Sequence, residues 1–275
     1  MSIILPSQYN RKPPVGSVPD FTHPMMRGLV GWWPFLGGAG NEVFDYSKNN
    51  TTGVLTNMNN ADWVSGQTRF GGHVLDFDGS DDFVELGTDL IGDSDLVVMS
   101  VWVNFKTLGK VVSFFGRGQD GSGVGWSILM HKDITDELEF HIVRTVPSTA
   151  GVVANSTVTV VANRWYHVVG IWEPTVGVKI YVDGILKDTT TDAGSVLRSS
   201  TVGTRIGGGI QDTSDRFLDG LIDDVRIYNR PLSPHEIWQL YTNPWAPFRT
   251  KRIFVDDVAV VTGIASRRLL VGHGI

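Results

Sequence analysis

The carboxylates best spaced for acid–base chemistry in this 275-residue chain are Glu137 and Glu139, in Asp136-Glu137-Leu138-Glu139. Residues two apart share one face of a strand, and retaining glycoside hydrolysis needs two carboxyl groups ~5–5.5 Å apart. The positions that follow, His141 and Ile142, add no further acid. Gly116-x-Gly118-x-x-Gly121 spells the dinucleotide fingerprint, but it lacks a βαβ setting and a following helix, so it reads as a glycine-rich loop between strands. The seven histidines (His23, His73, His131, His141, His167, His235, His273) show no metal-ligand spacing. No serine elbow, Cys/His pair or HExxH motif occurs. The expected number of catalytic residues is therefore none.

The elements that must position any site are strands. Met99, Val101, Val103 and Phe105 alternate with Ser100, Trp102 and Asn104. Leu138, Phe140 and Ile142 alternate with Glu139 and His141, and Val178, Ile180 and Val182 with Lys179 and Tyr181. A period of two with one apolar face is what an antiparallel sheet with one buried side requires. Asp183-Gly184 then supplies a tight hairpin turn. The most informative stretch is 217–241, FLDGLIDDVRIYNRPLSPHEIWQLY. A strand containing Leu221, Ile222, Val225 and Ile227 is followed by Ser233-Pro234-x-Glu236. The serine can cap a helix, the proline suits its first position and the glutamate can reach back to the cap. Ile237, Leu240 and Tyr241 would share one face, and Asn243-Pro244 ends the helix.

Composition narrows the class. Thirty-two glycines, 10% aromatic residues and many short β-branched runs favour an all-β sandwich in one domain. Cysteine is absent, so there is no disulfide framework and the redox compartment is open. No apolar run approaches the ~20 residues of a membrane span, and the first residues, MSIILPSQYNRKPP, do not read as a secretory signal. The net charge is −6, yet residues 1–27 carry +2 and residues 245–275 carry +3, which leaves −11 between them. An acidic body lacks the basic folded surface of a nucleic-acid binder. Basic ends suit docking onto an acidic partner, or are ordinary fluctuation in short segments. Residues 1–27 hold five of the twelve prolines and read as an extended arm.

Several motifs in order carry a family resemblance. They are Gly28-Leu29-Val30-Gly31-Trp32-Trp33-Pro34-Phe35, Asp45-Tyr46-Ser47-Lys48-Asn49-Asn50 before Gly53-Val54-Leu55, and Phe70-Gly71-Gly72 through Leu75-Asp76-Phe77-Asp78-Gly79-Ser80-Asp81-Asp82-Phe83-Val84. They continue with Trp165-Tyr166-His167-Val168-Val169, Lys179-Ile180-Tyr181-Val182-Asp183-Gly184 and the ending described above. Together they resemble the laminin G-like, concanavalin A-like jelly rolls. The resemblance implies a two-sheet antiparallel sandwich over 28–243 with strand 28–35 beside strand 221–228 and one short helix at 234–241. It leaves an N-terminal arm at 1–27 and a C-terminal extension at 244–275. The E-x-D-x-x-E strand of jelly-roll hydrolases has no counterpart here. A structural role is expected for His167, beside a tryptophan as is common in the family.

The same resemblance implies a structural Ca²⁺ on Asp78 and Asp223, with Asp81 or Asp45 in support. The alternative stays open that these acids only make turn hydrogen bonds. The concave face of such a sandwich can stack aromatics on sugars, and Trp126, His141 and Arg144 lie in strands able to cross it. The tail from Asn243 to Ile253, N-P-W-A-P-F-R-T-K-R-I, resembles that of uncharacterised proteins of tailed phages and prophages. That implies a non-enzymatic virion subunit, such as a decoration, head-fibre or tail-associated protein. It would be oligomeric, bound to other capsid or virion subunits and facing cell-surface glycans. Trp245, Phe248, Arg249, Ile253, Phe254 and Val255 are the expected assembly contacts, since an apolar strand-like tail after a closed domain calls for a partner. A secreted, extracellular carbohydrate-binding protein or glycanase accessory module is the other expectation.

Overall fold

The computed structural model describes residues 11–67, 69–87, 90, 96–117, 127–132, 135–143, 151–191, 203–208 and 216–248. Two antiparallel sheets of eight strands pack face to face, the jelly-roll sandwich that the sequence predicts. The first sheet runs β14 (Ile185–Thr190), β13 (Gly177–Val182), β12 (Trp165–Glu173), β7 (Val97–Phe105), β16 (Asp219–Tyr228), β5 (His73–Asp78), β4 (Trp63–Ser65). β1 (Leu29–Trp33) also belongs to it. The second sheet runs β11 (Gly151–Asn155), β10 (Leu138–Val143), β9 (Ser127–His131), β8 (Val112–Arg117), β15 (Thr204–Ile206), β6 (Phe83–Glu85), β3 (Gly53–Thr56), β2 (Glu42–Val43).

β16 is long enough to take two partners on one side. Its first half pairs with β5, as Asp219 opposite Asp78, and its second half with β1, as Val225 opposite Trp33. A bulge between Asp223 and Arg226 joins the halves, and Asp224 sits there at φ 46°. The expected neighbours, 28–35 and 221–228, are therefore paired. α1 (Pro234–Thr242) follows, closed by the predicted capping box: Ser233 Oγ accepts from the Glu236 N–H at 3.3 Å, and Glu236 Oε2 accepts from the Ser233 N–H at 2.9 Å.

Between the sheets lies the main core, formed by the inward residues of each alternation: Met99, Val101, Val103 and Phe105 of β7 face Phe140 and Ile142 of β10 and their neighbours. A second buried layer covers the outer face of the first sheet. Under α1, Val98, Val169 and Ile171 pack with Ile237 and Leu240. Beside it, Trp32 and Trp102 pack with Phe70, Trp245 and Phe248. This corrects the expectation that the domain is complete by residue 243. The sheet presents Trp32 outward, and the segment after α1 returns to bury it with Trp245 and Phe248. Full burial of side chains this large stabilises by ~1.5–3 kcal/mol each. Phe248 also bridges Pro19 of the arm in antiparallel fashion, so both ends meet on this face.

Candidate functional site

The outer face of the second sheet is the candidate glycan-binding face. Its strand registers place one row of residues straight across it: Val54, Glu85, Arg205, Gly116, Ile128, His141 and Val153. The adjacent row, Leu55, Val84, Ile206, Phe115, Leu129, Phe140 and Ala154, is buried in the core, so Val54, Glu85, Arg205, His141 and Val153 of the first row point outward. Gly116, at the row's centre, carries no side chain and is itself buried. On one side stand Arg205 and Glu85, paired at 2.7 Å, with the Arg205 guanidinium 4.5 Å above the Phe83 ring. On the other stands His141. Its ring occupies the space above Gly151, where any Cβ would collide with Nε2. Burial, aided by the nearby positive charge of Arg216, pushes the His141 imidazole down to about 4. At neutral pH it is uncharged and offers one donor and one acceptor, which suits sugar hydroxyls. Of the three expected glycan residues, His141 thus lies on the outward row, while Trp126 and Arg144 lie outside the described residues. Arg205, Glu85 and Arg216 were missed. The alternation within β15 and β6 carried a signal for the first two, but strand order across the sheet did not follow from sequence.

The expected acid pair is placed differently. Glu137 Oε2 accepts from Asn155 Nδ2 at 2.8 Å, and Glu139 faces Lys132 Nζ at 3.3 Å. Gly116 lies within β8, while Gly118 and Gly121 of the glycine fingerprint lie outside the described residues. His167 is buried, its Nε2 3.0 Å from Ser100 Oγ and its ring tilted against Trp102. Burial, with Arg226 and Arg69 nearby, lowers it to about 3, so it is a neutral core residue.

The expected Ca²⁺ ligands do not converge. Asp78 lies opposite Asp219, four positions along β16 from Asp223. Asp223 is instead buried against Lys12 Nζ at 2.5 Å and accepts from the Asp224 N–H at 2.8 Å. Asp45 spends both oxygens on its own turn, accepting from the N–H groups of Trp32, Ser47 and Thr51 at 2.7–2.9 Å. These two acids are taken, and a bridging Ca²⁺ between Asp78 and Asp223 does not fit. The donor set that fits a hard cation is Asp78, Asp81 and Asp82, whose carboxylates lie within 4.8 Å of one another. Burial first, then the charges of Asp78, Asp62 and Asp81, raises the Asp82 carboxyl to about 6.

Of the expected assembly residues, Trp245 and Phe248 are internal. Their rings lie 6.5 and 4.9 Å from that of Trp32. Arg249, Ile253, Phe254 and Val255 lie outside the described residues. A cleft of about 1330 Å³ opens between the arm and the body, lined by Val15, Val18, Phe21, Leu36, Trp245 and Phe248 among others.

A two-sheet sandwich with this strand order is a lectin-like jelly roll. Residues 78–238 match the concanavalin A-like lectin/glucanases superfamily, and the chain belongs to it. No curated protein matches by sequence. Among solved structures, the chain is similar to domain 4 of AbnA, a GH43 extracellular arabinanase from Geobacillus stearothermophilus, solved in complex with arabinotriose. That match has TM-score 0.60 and 20% identity, covering 78% of this chain and 98% of that one. It is also similar to the binding domain of Paraclostridial Mosquitocidal Protein 1 (TM-score 0.61, 14% identity, 79% and 52% covered). A third similar structure is Trypanosoma rangeli sialidase with sialic acid (TM-score 0.57, 17% identity, 81% and 34% covered). The chain thus spans about a third of the sialidase and about half of the mosquitocidal binding domain. At these identities the likeness is one of fold.

Proposed function

We propose that the chain is a non-enzymatic glycan-binding jelly roll, carried as a subunit of a larger assembly, and that this assembly is a phage virion. The outward row across the second sheet carries the binding reading: a neutral His141 and the Arg205–Glu85 pair set hydrogen-bonding groups along one line of that face. The fold-level likeness to a domain solved with arabinotriose supports an oligosaccharide as the ligand class. Glu137 and Glu139 hold Asn155 and Lys132 rather than facing each other across a cleft, which supports a binding role without turnover. The tail resemblance and the exposed apolar arm residues Val15, Val18 and Phe21 support the subunit reading. A structural Ca²⁺ on Asp78, Asp81 and Asp82 completes the proposal. The accessory-module reading keeps one observation in its favour, the near-complete coverage of a domain of an extracellular glycanase.

The test is a glycan array probed with the full chain, together with a reducing-end assay on arabinan, laminarin and xylan. Binding to a defined oligosaccharide, weakened in H141A and R205A and unaccompanied by released sugar, is the expected result. Turnover that disappears in E137Q would replace this reading with a hydrolase. Mass spectrometry of purified particles against culture medium separates the virion subunit from the secreted module.

A further inference from the structure

On the opposite side of the molecule, one guanidinium is held in place with no acid to hold it. Arg69 is exposed, and its Cζ lies 4.7 Å over Trp102, 4.6 Å over Tyr241 and 5.5 Å over Phe70. Among the described residues it has no carboxylate partner, in a chain of net charge −6 where Arg164, Arg205, Arg226 and Arg230 each have one. Tyr241 is stacked on Trp102 at 5.6 Å and 17°, so Arg69 rests on a packed aromatic surface. His167, whose ring lies 6.2 Å from Tyr241, belongs to the same stack.

Tyr241 also connects Arg69 to an exposed tryptophan. Trp238, one helical turn earlier on α1, has its ring 5.5 Å from that of Tyr241 and is 46% exposed. It is seated on the Asp183-Gly184 hairpin: a Cβ on Gly184 would come 2.8 Å from Trp238 Cε3, and Gly184 has φ +77°. The turn that the sequence predicts as a simple hairpin is thus also the floor beneath this indole. Asp183 of that turn pairs with Arg164 at 3.1 Å, which places a second, largely exposed guanidinium at the rim. On the other flank Trp165, partly exposed, donates its Nε1–H to the Gln67 carbonyl at 2.9 Å and so ties the loop carrying Arg69 to β12.

We propose that this ledge, Trp238 and Tyr241 with Arg69 as its anion-binding group, is a second saccharide site specific for carboxylated sugars. An exposed indole face takes the apolar face of a pyranose ring, and an exposed guanidinium with no acid partner among the described residues can bind a carboxylate bidentately. A clamp for the loop alone would need the stack but not an open, acid-free guanidinium beside a half-exposed tryptophan. The inference rests on the glycan-binding reading above and assigns a different face and a different ligand charge.

The experiment titrates the full chain with trigalacturonate and 3′-sialyllactose, each against its neutral counterpart, galactotriose and lactose, following tryptophan fluorescence and calorimetry. A carboxylated probe binding at least about tenfold tighter than its neutral counterpart is expected, this being the least that one charge-assisted hydrogen bond gives. R69Q removes that preference, R69K restores charge without the fork and recovers only part of it, and W238A weakens binding. The melting temperature of each variant is read alongside, and W238A lowers it only modestly because its indole is half exposed, so that lost binding in a still-folded variant is read as loss of the site. Equal binding of acidic and neutral sugars, or a preference that survives R69Q and W238A, overturns the ledge. Loss in R205A with no change in R69Q assigns binding to the second sheet and leaves the glycan reading standing. Failure of all four probes together with an empty glycan array overturns both.

Discussion

Single residues settle what each charge in this fold is for. Lys12 stands 211 positions from Asp223, yet its ammonium is buried against that carboxylate and against the His73 carbonyl. Burial lowers Lys12 and raises Asp223 to about 6, while the two partners oppose those shifts in each other. Removing one member of such a pair strands the other, so K12M is expected to cost ~3–5 kcal/mol at pH 7.5. Without the ammonium, the Asp223 pKa climbs further, and protonation then relieves the stranded charge. Urea unfolding should therefore show a smaller loss for K12M at pH 5 than at pH 7.5, and K12M/D223N should recover part of it. An equal loss at both pH values would mean that packing of the lysine stem is what matters. Asp82 gives a parallel expectation. Its folded-state pKa, about 6, lies above the unfolded 3.8, so stability falls as pH rises through that window. A cation on Asp78, Asp81 and Asp82 offsets that repulsion and binds only the folded state. The melting temperature should rise with millimolar Ca²⁺ over excess chelator at pH 7, less so at pH 5, and not in D82N. Coincident curves would leave these acids as turn residues. Neither Lys12–Asp223 nor the Asp82 cluster was legible in the sequence, because family resemblance pairs Asp78 with Asp223 and nothing local announces a lysine arriving from the arm.

At the scale of elements, legibility follows locality. α1 was readable to within a residue because its signals lie within four positions of one another. The Asp183-Gly184 turn and the alternation in β7, β10 and β13 were readable for the same reason. The bulge in β16 was not. It depends on Asp224 pairing in two places with Arg226 at 3.0 Å while accepting from Trp32 Nε1 at 2.6 Å, a contact that spans most of the chain. The cap yields a prediction with a defined sign. The Arg230 hydrogen bond, with those from Ser233, holds Glu236 down to about 2, below its ordinary 4.5. That contribution is present above pH 4.5 and is lost as pH falls toward 2. S233A is expected to cost ~1 kcal/mol. E236Q should lose stability at pH 6 but little at pH 2.5, where the parent glutamate is being protonated as well. A pH-independent E236Q effect would place the glutamate's role in shape rather than charge.

For the whole molecule, the terminal segments are part of the fold before they are part of any assembly. A laminin G-like sandwich bounded at residue 243 would leave Trp32 facing water on the first sheet. The segment through Phe248 covers it, with the arm from Lys12 to Met26 alongside, joined by the Pro19–Phe248 bridge and by the Arg226 side chain on the Pro244 carbonyl at 2.5 Å. The place to cut when testing an anchoring role therefore matters. Truncation after Thr242 deletes Trp245 and Phe248, and loss of one such buried aromatic costs ~3–5 kcal/mol. It is expected to lower the melting temperature steeply and to fail in assembly for reasons of folding alone. Truncation after Phe248 keeps the covering layer while removing the basic, apolar residues 249–275. Its melting temperature should stay near that of the full chain. If the subunit reading holds, sedimentation should nonetheless show loss of the oligomer, or particles should lack the protein. A chain ending at Phe248 that assembles as the full chain does would place the contacts elsewhere, with the cleft beside Val15, Val18 and Phe21 the next surface to mutate.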